Sequence, residues 1–328
     1  MPLGSLIHTP SVTFIIRGKF FSLMDKSQPM VGGQAVIEGV MMRGALHAVT
    51  AVRKGKKILF RHDALKKKPT WCRWFFIRGV VNLWEMLVLG IKTLQWSATQ
   101  AGDEGEQMSD GMLAVTLISS LLLSLGLFLL LPYLLTYWMG IRESSAPALF
   151  NVVDGIVKIA IFVAYVWLIS LIKDIRRVFQ YHGAEHKAVH CFEQKKPLEV
   201  AYARKFSTLH PRCGTSFIFL VMIIAIFLFS FIPAIAQVLF PGILNVHWLL
   251  QRLIYFLLRI LMLPVVAGFS YELLRLSARK QQSLFFRVVS RPGLWLQRIT
   301  TKEPSARQLE VALAALKKVL SFEKKTVH

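Results

Sequence analysis

Four stretches of this chain are long and apolar enough to cross a bilayer, which takes roughly 20 residues at a rise of about 1.5 Å each. They run over about Met112 to Trp138, Val152 to Ile172, Thr215 to Phe240 and Trp248 to Leu274. With 54% apolar residues and a mean hydropathy of +0.50, the chain is too apolar for a soluble domain. It reads as a mainly α-helical membrane protein with four transmembrane helices.

Charge sets the orientation. Forty Lys and Arg against eighteen Asp and Glu give a net charge of +22. Alone, that excess would point to nucleic acid or an anionic surface. Beside four apolar spans it is what cytoplasmic loops need, and no DNA partner is expected. Residues 139–151 carry one Arg and one Glu, and residues 241–247 carry no Lys or Arg. The segment 173–213 holds Arg176, Arg177, Lys187, Lys195, Lys196, Arg204 and Lys205, so it is the positive, cytoplasmic side. The protein is then a multi-pass protein of the inner (plasma) membrane with both termini cytoplasmic.

Other segments arrange themselves around this core. Residues 1–29 read as an N-terminal extension, disordered or preceding a true start at Met24 or Met30, because Val12 to Ile16 is too short an apolar run for a signal peptide. Residues 30–70 read as a small cytoplasmic, glycine-rich β unit. Within it Gln34 to Met42 has strand character, and His47 to Arg53 and Lys57 to Arg61 flank a Lys54-Gly55-Lys56 turn as a hairpin. Residues 71–111 read as an interfacial amphipathic segment, since Trp71 to Trp96 is apolar yet interrupted by Arg73, Arg78, Asn82, Glu85 and Lys92. The four-span core covers 112–275, with a His/Cys loop at 173–213. A cytoplasmic C-terminal segment, 276–328, puts Leu309, Leu313, Leu316 and Leu320 on one face of a helix with Pro304 at its first position.

The polar segment between the second and third spans carries the chemistry. It contains Tyr181-His182-Gly183-Ala184-Glu185-His186-Lys187, then His190 and Cys191, and ends on His210-Pro211-Arg212-Cys213. If residues 182–193 are helical, His182, His186 and His190 share one face, with Glu185 beside them. Imidazoles at i and i+4 can bind one zinc ion, and a neighbouring carboxylate can act as general base, the logic of an H-x-x-E-H motif. His182 and His186 with either His210 or Cys213 would make an open, catalytic site; with both, a closed structural one. The plain alternative is that these side chains only hydrogen-bond the loop. Cys72, Cys191 and Cys213 all fall in cytoplasmic segments, so they are expected as free thiols or ligands rather than disulfides.

Ionisable residues within spans are the second signal, because each costs a few kcal/mol at the membrane centre unless paired. Asp154 and Lys158 in the second span and Arg252 and Arg259 in the fourth suggest an Asp154 to Arg252 pair. Glu272, near the cytoplasmic end of the fourth span, is expected to face the histidine segment as a ligand, supporting partner or proton acceptor.

These motifs, together with Gly32-Gly33-Gln34-Ala35-Val36-Ile37-Glu38-Gly39-Val40-Met41-Met42-Arg43, Gly214-Thr215-Ser216, Ser270-Tyr271-Glu272 and Pro292-Gly293-Leu294-Trp295-Leu296-Gln297, resemble the YqhQ-type bacterial integral membrane proteins over residues 31–320. That family is described as a domain of unknown function with an inferred metal-dependent activity. The resemblance implies membrane location, the four-span core and a metal site. It also marks Glu38 and Arg43 as motif members, with the glycine-rich hairpin folding against the histidine segment to bring Glu38 to the metal and Arg43 to an anionic group. Two functions follow. One is a zinc-dependent hydrolase with Glu185 as base and His182, His186, His210 and Cys213 as candidate ligands. It would act on an anionic lipid or membrane-anchored substrate held by Arg43 and Arg212. The other is a non-enzymatic accessory or scaffold protein, for example in membrane-protein biogenesis, with a structural metal or no metal, whose basic face meets lipid, RNA or a protein partner. Four spans without an internal repeat argue against a transporter.

Overall fold

The computed structural model describes residues 31–102, 110–142, 145–211, 213–279 and 283–327. Residues 1–29 and Arg212, both given roles above, lie outside them. The expected hairpin is present as the last two strands of a four-stranded antiparallel meander: β1 (Gly32–Val36), β2 (Gly39–Arg43), β3 (His47–Lys54) and β4 (Lys57–Ala64), in the order β1-β2-β3-β4. The stretch from Gln34 to Met42 is two strands, because the chain reverses at Ile37-Glu38 and pairs Val36 with Gly39. Glu38 takes a positive φ of 53° to make that turn.

Both faces of the sheet are covered. Val40, Met42, Val49 and Ala51 pack against helices α5 (Lys173–Glu193) and α11 (Ala306–Val327), burying Tyr181, Ala184, Ala188, Leu309, Leu313 and Leu316. On the opposite face Val36, Met41, Ala48 and Val52 meet Leu89, Met86 and Trp96 of α1 (Ile77–Ala101). Successive strand residues point to opposite faces. The continuous run Val40-Met41-Met42 is thus buried on both sides rather than alternating in and out. Helix α1 leaves Trp84, Ile91 and Leu94 exposed on its other side, as an interfacial helix would.

Helix α11 begins two residues after Pro304. Ser305 caps it in a reciprocal box with Gln308: the Gln308 N–H donates to Ser305 Oγ at 3.3 Å, and the Ser305 N–H to Gln308 Oε1 at 2.8 Å. The segment read as a loop at 173–213 is helical over half its length, through α5 and the short α6 (Val200–Ala203). A strap from Arg204 to Pro211 then follows, and Cys213 opens the next apolar helix.

Among the described residues, three helical stretches are long and apolar enough to cross a membrane: Ala114–Trp138, Pro147–Ile169 and Leu249–Leu276. The first comprises α2 (Asp110–Leu125), a π-helical turn at Gly126–Leu130 and α3 (Leu131–Trp138). The second is α4 (Pro147–Ile169), which starts and ends a few residues earlier than its hydropathy suggests. A fourth is added if α7 (Gly214–Phe229) and α8 (Ile232–Leu239) are one span, bent by 45° where Pro233 enters the first turn of α8. Helices α9 (Trp248–Arg279) and α10 (Leu284–Thr300) complete the chain order before α11.

The charges in these helices pair differently from the expectation. Asp154 binds Lys158, one turn away on the same helix, a contact that needs no alignment between helices. Arg259 Nη2 donates to Asn151 Oδ1 at 3.1 Å, and the Arg252 guanidinium lies 4.9 Å from the centre of the Tyr133 ring. Glu272 faces α1, where its carboxylate takes a bidentate contact from Arg78 at 2.6 and 2.5 Å and the Phe76 N–H at 3.3 Å.

Candidate metal centre

The face of α5 turned away from the sheet carries His182, His186, His190 and Glu193 at helical spacing, opposite the strap. Gly183 lets the helix come this close to the chain behind α10. A Cβ at that position would lie 2.1 Å from the Lys302 carbonyl oxygen, so any side chain would push the two apart. The approach brings the Thr300 carbonyl within 2.9 Å of His182 Nδ1. The strap places the Thr208 carbonyl 2.5 Å from His186 Nδ1.

A carbonyl oxygen can only accept, so in both rings Nδ1 carries the proton and Nε2 keeps its lone pair. The two Nε2 atoms converge with Cys213 Sγ, the three ligand atoms all within 4.8 Å of one another. His182 Nε2 stands 3.2 Å from the sulfur. His186 Nε2 is buried and has no hydrogen-bond partner among the described residues. The Cys213 thiol has one proton and can donate it to only one of the two Nε2 lone pairs, so the other stays without a donor unless a cation takes that proton's place. Imidazoles held through Nδ1–H by backbone carbonyls are the usual support of a metal site. Tetrahedral zinc at about 2.0–2.3 Å from nitrogen and sulfur sets its ligands about 3.5 Å apart, near the 3.2 Å between His182 Nε2 and the sulfur. Cys213 caps α7, its sulfur accepting the Thr215 N–H at 3.4 Å, at the helix end that favours negative charge. The donor set therefore suits a zinc ion.

Glu185 adjoins this group without belonging to it: Oε2 is 4.0 Å from both His182 Nε2 and His186 Nε2. Burial raises its carboxyl above the ordinary value, against the opposing influence of His182, His210 and the Gly33 backbone N–H. Burial likewise lowers His186 and pushes His210 down to about 4. Both shifts favour the neutral ring, the form in which imidazole binds metals. The glycine-rich unit does fold against the histidine helix, and does so through Gly33, where a Cβ would lie 2.3 Å from the Met41 carbonyl and 3.2 Å from Glu185 Cγ.

Of the residues singled out in the sequence, His182, Glu185, His186 and Cys213 meet. His210 stands beside them with His190 and Glu193, its ring centre 5.7 Å from that of His186. Glu38 is engaged elsewhere, by Arg177 at 2.6 Å and the Tyr181 hydroxyl at 3.4 Å. Arg43 binds Glu85, which also takes Lys68 at 2.8 Å. Glu272 belongs to the α1–α9 contact. The partners missed in the sequence are backbone and amide groups, Thr208, Thr300 and Gln297. The Gln297 side chain holds the strap by two bonds to the His210 backbone, at 2.8 and 2.9 Å. Gln297 lies within one of the motifs named above, yet nothing in the sequence says what an isolated amide will grip.

A small sheet clasped between α1 and a histidine-bearing helix, above helices apolar enough to span a bilayer, defines a class of protein with a buried His/Cys/Glu centre beside its apolar helices. The family described as a protein of unknown function (DUF1385) matches residues 74–322, and the chain belongs to it. It is 33% identical to the "Uncharacterized protein YqhQ" of Bacillus subtilis (strain 168), over 91% of this chain and 94% of that protein. No solved structure matches the chain.

Proposed function

We propose that this protein is a zinc-dependent hydrolase of the plasma membrane with its centre at the cytoplasmic face. The observation that carries the reading is the convergence of His182 Nε2, His186 Nε2 and Cys213 Sγ, with both Nδ1 atoms committed to backbone carbonyls. Three protein ligands leave a tetrahedral zinc one open position, which separates catalytic from structural sites. Zinc held there supplies Lewis acidity and lowers the pKa of a water toward neutrality. Glu185 is the general base: it accepts a proton from the attacking water and returns it to the leaving group. Its buried carboxyl is easily protonated, which suits the second half of that task. The basic 173–213 segment supports cytoplasmic placement, and a membrane-anchored peptide or lipid headgroup is the substrate class within reach. Arg43, occupied by Glu85, is not part of this proposal.

Burial favours a second reading. His186 is 2% exposed and Cys213 8%, so a metal there could serve only to tie α5, the strap and α7 together in an accessory protein. One experiment separates the two. Zinc is measured in detergent-purified protein never exposed to chelator, in the parent, in His182→Ala/His186→Ala and in Glu185→Gln. The hydrolase reading expects stoichiometric zinc in the parent, none in the double variant, and full zinc in Glu185→Gln with hydrolysis of model peptides or phosphoesters reduced about 10²–10⁴-fold. Zinc retained in Glu185→Gln with unaltered function in the cell would establish the structural role. A folded parent without metal would sink the hydrolase and leave an accessory protein that holds no metal.

A further inference from the structure

One helical turn beyond the first ligand set, α5 carries a second. His190, Glu193 and the strap residue His210 each offer a ligand atom, all three within 4.8 Å of one another. We propose that this is a second metal position, adjacent to the first, which takes a divalent first-row ion through two imidazoles and a carboxylate. The inference deepens the hydrolase reading by making its centre a paired one, and its own ligands do not overlap with those of the first site.

His190 and Glu193 are spaced i, i+3 and project from one face of α5, the same arrangement by which helices present a carboxylate and an imidazole to a shared ion. The contact between His210 Nε2 and the Glu193 oxygens, at 3.3 and 3.4 Å, is long for a charge-assisted hydrogen bond of about 2.7–2.9 Å. It does match the separation of about 3.3 Å expected between two first-row-metal ligands each about 2.0–2.1 Å from the ion. His190 Nε2 meets the Leu209 carbonyl at 2.9 Å. That carbonyl takes the proton of Nε2, so Nδ1 is the nitrogen that would ligate here, the reverse of the arrangement at His182 and His186. The Gln297 amide clamps the backbone of His210, so this strap ligand is positioned by a buried group rather than by a free loop.

The two sets run together along the helix. Ring centres step from His182 to His186 at 4.5 Å, to His210 at 5.7 Å and to His190 at 4.5 Å. Glu185 stands beside the first set, its Oε2 4.0 Å from His182 Nε2 and from His186 Nε2. The chemistry of the two sets differs. The first set contains a thiol and favours zinc, while the second is nitrogen and oxygen only and accepts Zn²⁺, Mn²⁺ or Fe²⁺. Paired metal sites can clamp both the attacking and the leaving oxygen of a displacement, a reaction for which phosphoesters are the characteristic substrates.

The test is a Co²⁺ titration of the full-length protein in detergent after mild chelation, with bound cobalt counted by elemental analysis and the sulfur-to-cobalt charge-transfer band recorded. The variants are Glu193→Gln, His190→Gln and Cys213→Ser, and a cooperative thermal transition certifies that each is folded. The paired centre predicts two equivalents in the parent. It predicts one in Glu193→Gln and in His190→Gln with the sulfur band intact, and one without the band in Cys213→Ser. A single equivalent in the parent, unchanged by Glu193→Gln, would overturn the second position while leaving the first. One equivalent remaining in Cys213→Ser and removed on adding Glu193→Gln would keep the second position even if the first proved not to bind. No cobalt in a folded parent would overturn it outright.

Discussion

Gly183 occupies the middle of a helix, where glycine costs about 1 kcal/mol relative to alanine, and it is kept there by a backbone contact that a methyl group would block. The Lys302 carbonyl stands 2.1 Å from where that methyl would be, two residues from the carbonyl that orients His182. Gly183→Ala should gain helix propensity yet lose stability by about 1–3 kcal/mol through overpacking. It should also lower zinc content, because Thr300 is pushed away from Nδ1. Thermal unfolding in detergent and metal analysis together check this; a variant more stable than the parent with full zinc would mean that the 300–303 segment yields easily. At this scale the i, i+4 histidines and Glu185 were legible in the sequence, since helical spacing alone places them side by side. The functional choice between Cys213 and His210 as third ligand was not, because both end the same strap and only its path decides which sulfur or nitrogen reaches the two Nε2 atoms.

Among the elements, α11 shows how local signals and tertiary burial combine. Its Leu309, Leu313 and Leu316 stripe was visible as an amphipathic pattern, and all three are buried against the sheet. Its start was displaced from Pro304 because the Ser305/Gln308 box ends the extended chain more favourably than a proline at the first turn. Ser305→Ala is expected to cost about 1 kcal/mol, seen as a lower thermal midpoint, whereas Ser305→Asp should cost much less. Equal losses for both would show that the cap is not what stabilises this end. The sheet was harder to read. Burial by α1 on one face and by α5 and α11 on the other removes the alternation that identifies a strand. The partners of Glu38, Arg43 and Glu272 were hidden for a related reason. Arg78 and Glu272 are 194 positions apart, and no local period links them.

For the molecule as a whole, burial of His210 makes a statement about acid stability. Its folded value, lowered from 6.5 to about 4, means that the unfolded chain takes up a proton first as pH falls. In the chelated protein, stability should therefore decline as pH drops from about 6.5 toward 4 and level off below, by an amount on the order of 3 kcal/mol. Thermal midpoints across that range, with His210→Gln as the comparison, check the slope; an identical slope in the variant would assign it to other groups. By itself the sequence determined the apolar helices long enough to span a membrane and the face of α5 on which the histidines gather, because span length and helical period are local properties of the covalent chain. Tertiary structure alone decided which nitrogens keep their lone pairs, which thiol joins them and which charges cancel elsewhere. Those outcomes depend on carbonyls and counter-charges that only folding brings into contact.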